Sequence, residues 1–134
     1  MKVSEGAIGS VPLIVVDGNL DHSSKQAVLD VVGGIFGGPY PPQSLLFDLS
    51  ECAFVDSGGL SVLLSTLGRL PAEGWLGLIG VASGPGRVLT YTGFLDLEKV
   101  RFFSSLEDAE ASLAWDRELT HTKRSRTERA GSAQ

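Results

Sequence analysis

Only one cysteine, Cys52, occurs in the 134 residues, which excludes an internal disulfide and a cysteine-rich metal site. The two histidines, His22 and His121, stand far apart and show no ligand spacing, so no zinc centre is expected. The GxxxxGK[ST] phosphate loop is missing, and Gly84-Pro85-Gly86 is a turn signal rather than a nucleotide cradle. No bound cofactor is expected. Long hydrophobic runs are absent as well: Leu13–Val16, Leu45–Phe47 and Leu60–Leu64 are far too short to cross a bilayer. An acidic residue arrives already at Glu5 and no apolar core follows it directly, unlike a signal peptide. The expectation is a cytoplasmic protein without membrane insertion. Positive charge is scarce outside one end. Residues 120–134 carry a net +3, from Lys123, Arg124, Arg126 and Arg129 against Glu128, while the whole chain is at −5, which leaves −8 on the rest. An acidic body speaks against direct nucleic-acid binding, which requires cationic neutralisation of phosphates.

What is present fits one ordinary globular domain, with 43% hydrophobic and 20% charged residues. The domain is expected over residues 1–119. The tail over 120–134 lacks apolar periodicity and is expected to be disordered. Strand-like and helix-like signals alternate. PLIVVDGNLD (12–21) reads as a β-branched strand closing on Gly18, with VSEGAI before it as a weaker edge-strand signal. Ser23 with Gln26 reads as a capping box opening a helix whose apolar face is Val28, Val31, Val32 and Ile35. Gly37-Gly38 ends that helix, and PYPPQ is a loop. SLLFDLS (44–50) is a second strand, followed by a helix with Leu60, Leu63, Leu64 and Leu67 as its core stripe. WLGLIGV (75–81) and KVRFF (99–103) are further strands, separated by a weak helix over 83–96. Ser105 with Asp108 caps a closing helix over 106–119. Such alternation implies right-handed crossovers and a mostly parallel α/β sheet of four to five strands with about four helices packed on it.

The informative segment is Asp56-Ser57-Gly58-Gly59-Leu60, where a strand ends and an amphipathic helix starts. On position alone, Ser57 reads first as a helix cap. Its surroundings add more. Gly58 and Gly59 bear no side chains to shield the hydroxyl, and Ser61 and Ser65 follow on the same side of the helix. That face is small and uncharged, which suits close approach by another protein. A phosphate on Ser57 would sit where helix N–H groups and the dipole stabilise an anion, and would add about −1.5 to −2 charge beside Asp56.

Three blocks in order resemble the STAS domain, in particular the bacterial anti-sigma factor antagonists, over roughly residues 10–115. LFDLSECAFVDSGGLSVLLSTLGRL resembles the family's strand-loop-helix segment, VDGNLDHSS its Gly-x-Leu-Asp turn, and RVLTYTGFLDL its third block, with Arg87 and Thr92-Gly93 at matching places. The resemblance implies that Ser57, directly after the aspartate, is the phosphorylated serine, and that Asp21 is the acidic residue of the earlier turn. The family often has a second serine where this chain has Gly58, which leaves one acceptor in the motif.

By the same resemblance, the unphosphorylated protein would bind an anti-sigma factor that is itself a serine kinase, and so release a sigma factor. Phosphorylation of Ser57 would switch that binding off, and a serine phosphatase would reset it. The partner-binding set is then Asp21, Asp56, Ser57, Gly58, Ser61 and Ser65, and the chain itself is no enzyme. Cys52 is expected to fill space behind the motif and His22 to be an exposed neighbour. Two rival readings stand beside this one. The first is a STAS scaffold subunit of a stress-sensing or transporter-associated complex, and the second is a small-ligand or nucleotide-binding domain.

Overall fold

A computed structural model of the protein describes residues 1–81, 93 and 97–114. Its elements run β1 (Lys2–Ile8), β2 (Val11–Asp17), α1 (Lys25–Phe36), β3 (Leu45–Asp48), α2 (Ser57–Arg69), β4 (Leu76–Ile79) and β5 (Val100–Phe103). Residues 106–114 are helical and are called α3. The five strands form one sheet in the order β1-β2-β3-β4-β5. β1 and β2 make an antiparallel hairpin, and every later neighbour is parallel.

The sheet is covered on both faces, and the period-2 alternation of its strands shows which residue serves which face. Ile14, Val16, Leu45, Phe47, Leu76 and Leu78 join Val28 and Val32 of α1 and Val62 and Leu63 of α2 in the larger core. Leu13, Leu46, Ile79 and Phe103 face the other way, onto Ala109 of α3. Leu45, Leu46 and Phe47 are all fully buried, so β3 is the centre of both cores and reads as a continuous apolar run. Each such side chain contributes about 1.5–3 kcal/mol by leaving water. On the α3 side the ring of Trp75 meets Phe103 edge-on at 6.3 Å, and the Arg101 guanidinium lies 4.4 Å from the Trp75 ring centre.

The expected α/β architecture is present, and the VSEGAI segment does form the edge strand. α3 begins as its sequence signal requires: the Asp108 amide donates to the Ser105 hydroxyl at 3.0 Å, while the Asp108 carboxylate accepts the Ser104 amide at 3.1 Å. The helix expected over 83–96, Arg87 and Thr92 within it, and the tail over 120–134 lie outside the described residues.

Two local readings are corrected. The residue preceding α1 is Ser24, not Ser23, and no capping box forms. Asp21 takes over one turn earlier. Its Oδ1 accepts the Ser23 amide at 3.0 Å, the Ser23 hydroxyl at 2.7 Å and the Ser24 amide at 3.1 Å. The Gln26 amide bonds Asp30 instead, at 2.8 Å. The stripe of α2 also differs. Its buried residues are Gly58, Gly59, Val62, Leu63 and Thr66, whereas Leu60 and Leu67 are partly buried at the flank and Leu64 is 47% exposed. Leu64 follows Leu63 by about 100° of helix rotation, which carries it off the packed face. Thr66 can replace a leucine inside because its hydroxyl donates to the Val62 carbonyl at 2.8 Å.

Candidate functional site

Two loops meet beyond the carboxyl ends of β2 and β3, where open α/β sheets ordinarily place their binding sites. One is residues 18–24 and the other residues 50–56. A short parallel ladder zips them together. The Gly18 amide donates to Glu51 O at 3.1 Å, the Leu20 amide to Phe54 O at 2.9 Å, and the Asp56 amide to Leu20 O at 3.3 Å, with Leu20 and Val55 as bridge partners. Leu20 and Val55 are both fully buried, so the zip is anchored in the core. The two sequence motifs thereby become one surface.

Asp56, not Ser57, is the N-cap of α2. Its Oδ1 accepts the Gly59 amide at 3.0 Å, and its Oδ2 faces the His22 amide at 3.4 Å. Ser57 is the first residue of the helix and is exposed. Its hydroxyl has no hydrogen-bond partner among the described residues. The cap role that competed for this serine therefore falls to its neighbour.

Gly58 and Gly59 serve the backbone rather than the exposure of Ser57. A Cβ at Gly59 would run into the carbonyl oxygen of Leu20, so α2 can lie against the 18–24 loop only with glycine there. A Cβ at Gly58 would lie 2.8 Å from Cγ and Nδ1 of His22. Gly58 was expected to lie open, and it is buried instead, under the His22 side chain. Ser61 is half-buried, with its hydroxyl donating to Gly58 O at 2.7 Å, and Ser65 is exposed. The outer face of α2 thus runs Ser57, Ser61, Leu64, Ser65 and Gly68, and the helix carries no charge before Arg69. Ser57 and Ser65 stand about 12 Å apart along it. Phe54, 48% exposed, ends the neighbouring loop.

Asp21 is brought to this surface by the zip. The Ser23 hydroxyl holds its carboxyl below the usual aspartate range; partial desolvation opposes this, and the Ser24 and Ser23 amides add to it. Asp48 repeats the same turn, accepting the Ser50 amide at 3.0 Å and the Ser50 hydroxyl at 2.6 Å. Sequence reasoning passed over this second Asp-x-Ser turn, although its signal is identical to that of Asp21-His22-Ser23. Cys52 lies in the core behind the loop, 4% exposed, with Sγ 3.3 Å from Phe54 O, and burial pushes its thiol up. No cluster of histidine, cysteine and acidic side chains suited to a metal ion occurs among the described residues. Nor is any helix among them long and apolar enough to cross a membrane.

Among solved structures, the chain is similar to an anti-sigma-factor antagonist (STAS) domain protein from Planctomyces limnophilus, at 20% identity and a TM-score of 0.69, covering 84% of this chain and 97% of that one. It is similar to the Bacillus cell-fate determinant SpoIIAA in its phosphorylated form, at 18% identity and a TM-score of 0.64, covering 84% of this chain and 99% of that one. A sulfate transporter family protein from Wolinella succinogenes also shares the fold, at 18% identity and a TM-score of 0.65, covering 79% and 86%. At such identities the likeness concerns the fold, and it spans proteins with different tasks. No curated protein matches by sequence. The model of the STAS domain family matches residues 4–109, most of the chain and both zipped loops, and the protein belongs to that family.

Proposed function

We propose that the protein is an anti-sigma factor antagonist whose binding is switched by phosphorylation of Ser57. The observation that carries this reading is an exposed serine at the first position of α2, its hydroxyl unengaged, opening a helix face without charge until Arg69. Unphosphorylated protein would dock this face on an anti-sigma factor that is also a serine kinase, and would so free a sigma factor. Ser61, Leu64 and Ser65 would line the contact, and Asp21 and Asp56 would border it. Gly58 acts from beneath, by admitting His22. Phosphate on Ser57 would bring about −1.5 to −2 charge next to Asp56. The fold would tolerate it, because a helix start favours an anion, whereas a partner seated on the face would lose its fit.

The chain would be a regulator without an activity of its own, acting in the cytoplasm, and the kinase and a serine phosphatase would supply the chemistry. The fold is shared with solved anti-sigma factor antagonists and with a sulfate transporter family protein alike, so the choice of the antagonist role rests on the exposed Ser57 and the uncharged face behind it. The test is a pull-down from the native cell with wild type and Ser57→Ala, followed by incubation of the captured kinase with ATP and phosphopeptide mapping. A single phosphate on Ser57 is expected. Phosphate on Ser61, Ser65 or the tail with Ser57 clean would overturn the assignment.

A further inference from the structure

The imidazole of His22 has no part in the reading above, yet it is held against the residue next to Ser57. Its Cγ and Nδ1 would be 2.8 Å, and its backbone nitrogen 3.0 Å, from a Cβ at position 58. The ring is not placed there by chance packing of a free loop. Its residue lies between Leu20, which bridges to Val55, and Ser24, which is 2% exposed, and its amide faces Asp56 Oδ2 at 3.4 Å. The other polar groups around it are committed or carry the wrong sign. The Ser61 hydroxyl donates to Gly58 O and the Ser23 hydroxyl to Asp21. Asp21 in its own turn, and Asp56, whose carboxylate faces the His22 amide, are acceptors that repel an anion. α2 carries no charge before Arg69, and α1 contributes Lys25 at its start.

We propose that His22 is the side chain that holds a phosphate on Ser57, and that it is the reason position 58 is glycine. This rests on the reading of Ser57 as the modified residue and deepens it: His22 would set how strongly the modified state is held in its docking-incompetent form. The ring lies against Gly58, the residue that follows Ser57, and a phosphate on Ser57 would reach it to accept a charge-assisted N–H···O bond. A serine at position 58 would displace the ring and abolish the contact. The glycine that removes the second acceptor from the motif is thus the same feature that admits the phosphate's partner.

The test needs no kinase. Phosphoserine is incorporated at position 57 during translation, and the second ionisation of its phosphate, ordinarily near about 6, is followed by phosphorus-31 NMR against pH. A hydrogen bond donated to the phosphate favours its dianion. His22→Ala is therefore expected to raise the titration midpoint by about half a pH unit or more, and His22→Gln to raise it in the same direction. Lys25→Gln should leave it in place. Gly58→Ser should reproduce the His22→Ala midpoint, and adding His22→Ala to Gly58→Ser should move it no further. His22 is exposed, so His22→Ala and His22→Gln should melt as wild type does. Coincident midpoints for wild type and His22→Ala would overturn the proposal, as would a shift produced by Lys25→Gln instead. Because the phosphate is installed synthetically, that failure is separate from failure of the Ser57 reading, which phosphopeptide mapping decides.

Discussion

Replacing Gly59 with alanine tests the packing that creates the site. A Cβ there would strike the Leu20 carbonyl oxygen, a backbone atom that cannot swing aside as a flexible side chain would. Either α2 moves outward or the 18–24 loop moves away. Overpacking of this kind costs about 1–3 kcal/mol. Separating the loops also weakens the bonds from the Leu20 amide to Phe54 O at 2.9 Å and from the Asp56 amide to Leu20 O at 3.3 Å. Those contribute about 1 kcal/mol each. Alanine returns about 1 kcal/mol of helix propensity, so the net loss should be about 2–4 kcal/mol. Gly68→Ala is the internal control. Nothing lies within 4 Å of a Cβ at that position on the exposed face of the same helix, so it should gain about 0.4–1 kcal/mol. Urea unfolding of the two variants beside wild type gives both numbers, as shifts in midpoint at unchanged slope. If Gly59→Ala lies within about 0.5 kcal/mol of wild type, the usual range for an innocuous surface change, the close approach of α2 to Leu20 is not a constraint and the account of the zipped loops fails.

Leu63→Ala, at a fully buried position, should lose about 2–5 kcal/mol in the same assay, and its folded fraction should still bind the partner. Ser61→Arg on the outer face should cost about 1 kcal/mol or less, reflecting mainly the lost bond to Gly58 O, yet should block binding to the anti-sigma partner in calorimetry, since an arginine there must be desolvated without a pocket. Ser57→Asp should melt within a few degrees of wild type, because a carboxylate in a first helical turn is worth about 0.3–1 kcal/mol, and it should bind the partner more weakly. Ser23→Ala should raise the titration midpoint of the Asp21 carboxyl measured by carbon-detected NMR, since the Ser23 hydroxyl is the main cause of its lowering. The sign follows from the linkage: a depressed carboxyl stabilises the fold above its unfolded value and loses that contribution as pH falls through the folded one. The Ser23→Ala protein should therefore lose less stability on acidification than wild type.

The strands and the mostly parallel sheet were legible because β-branched and leucine runs such as LIVV and LLFD are bounded by glycine, proline and aspartate, and because strand-helix alternation leaves few topologies. The start of α3 was legible for a local reason, since Ser105 and Asp108 satisfy amides within one turn. The start of α1 was misread because Ser23 and Ser24 are equivalent to any pattern, and only the geometry of Asp21 decides between them. Counting leucines misplaced the face of α2: burial there follows the close approach at Gly59, which puts Thr66 inside and Leu64 outside. The meeting of the Asp21 turn with the loop that ends at Asp56 is a long-range pairing, and no periodicity encodes the Leu20–Val55 bridge that produces it. For the same reason His22 read as a bystander, although it sits on Gly58.

The central claim is that phosphate on Ser57 controls partner binding, and one titration tests it most directly. Isothermal calorimetry with the anti-sigma factor recovered by pull-down compares wild type carrying serine at 57 with the same protein carrying phosphoserine there. The account predicts that phosphorylation weakens the complex at least about tenfold, or about 1.4 kcal/mol, while leaving the melting temperature of the free protein nearly unchanged. Equal affinity for the two forms, with both folded, would contradict it.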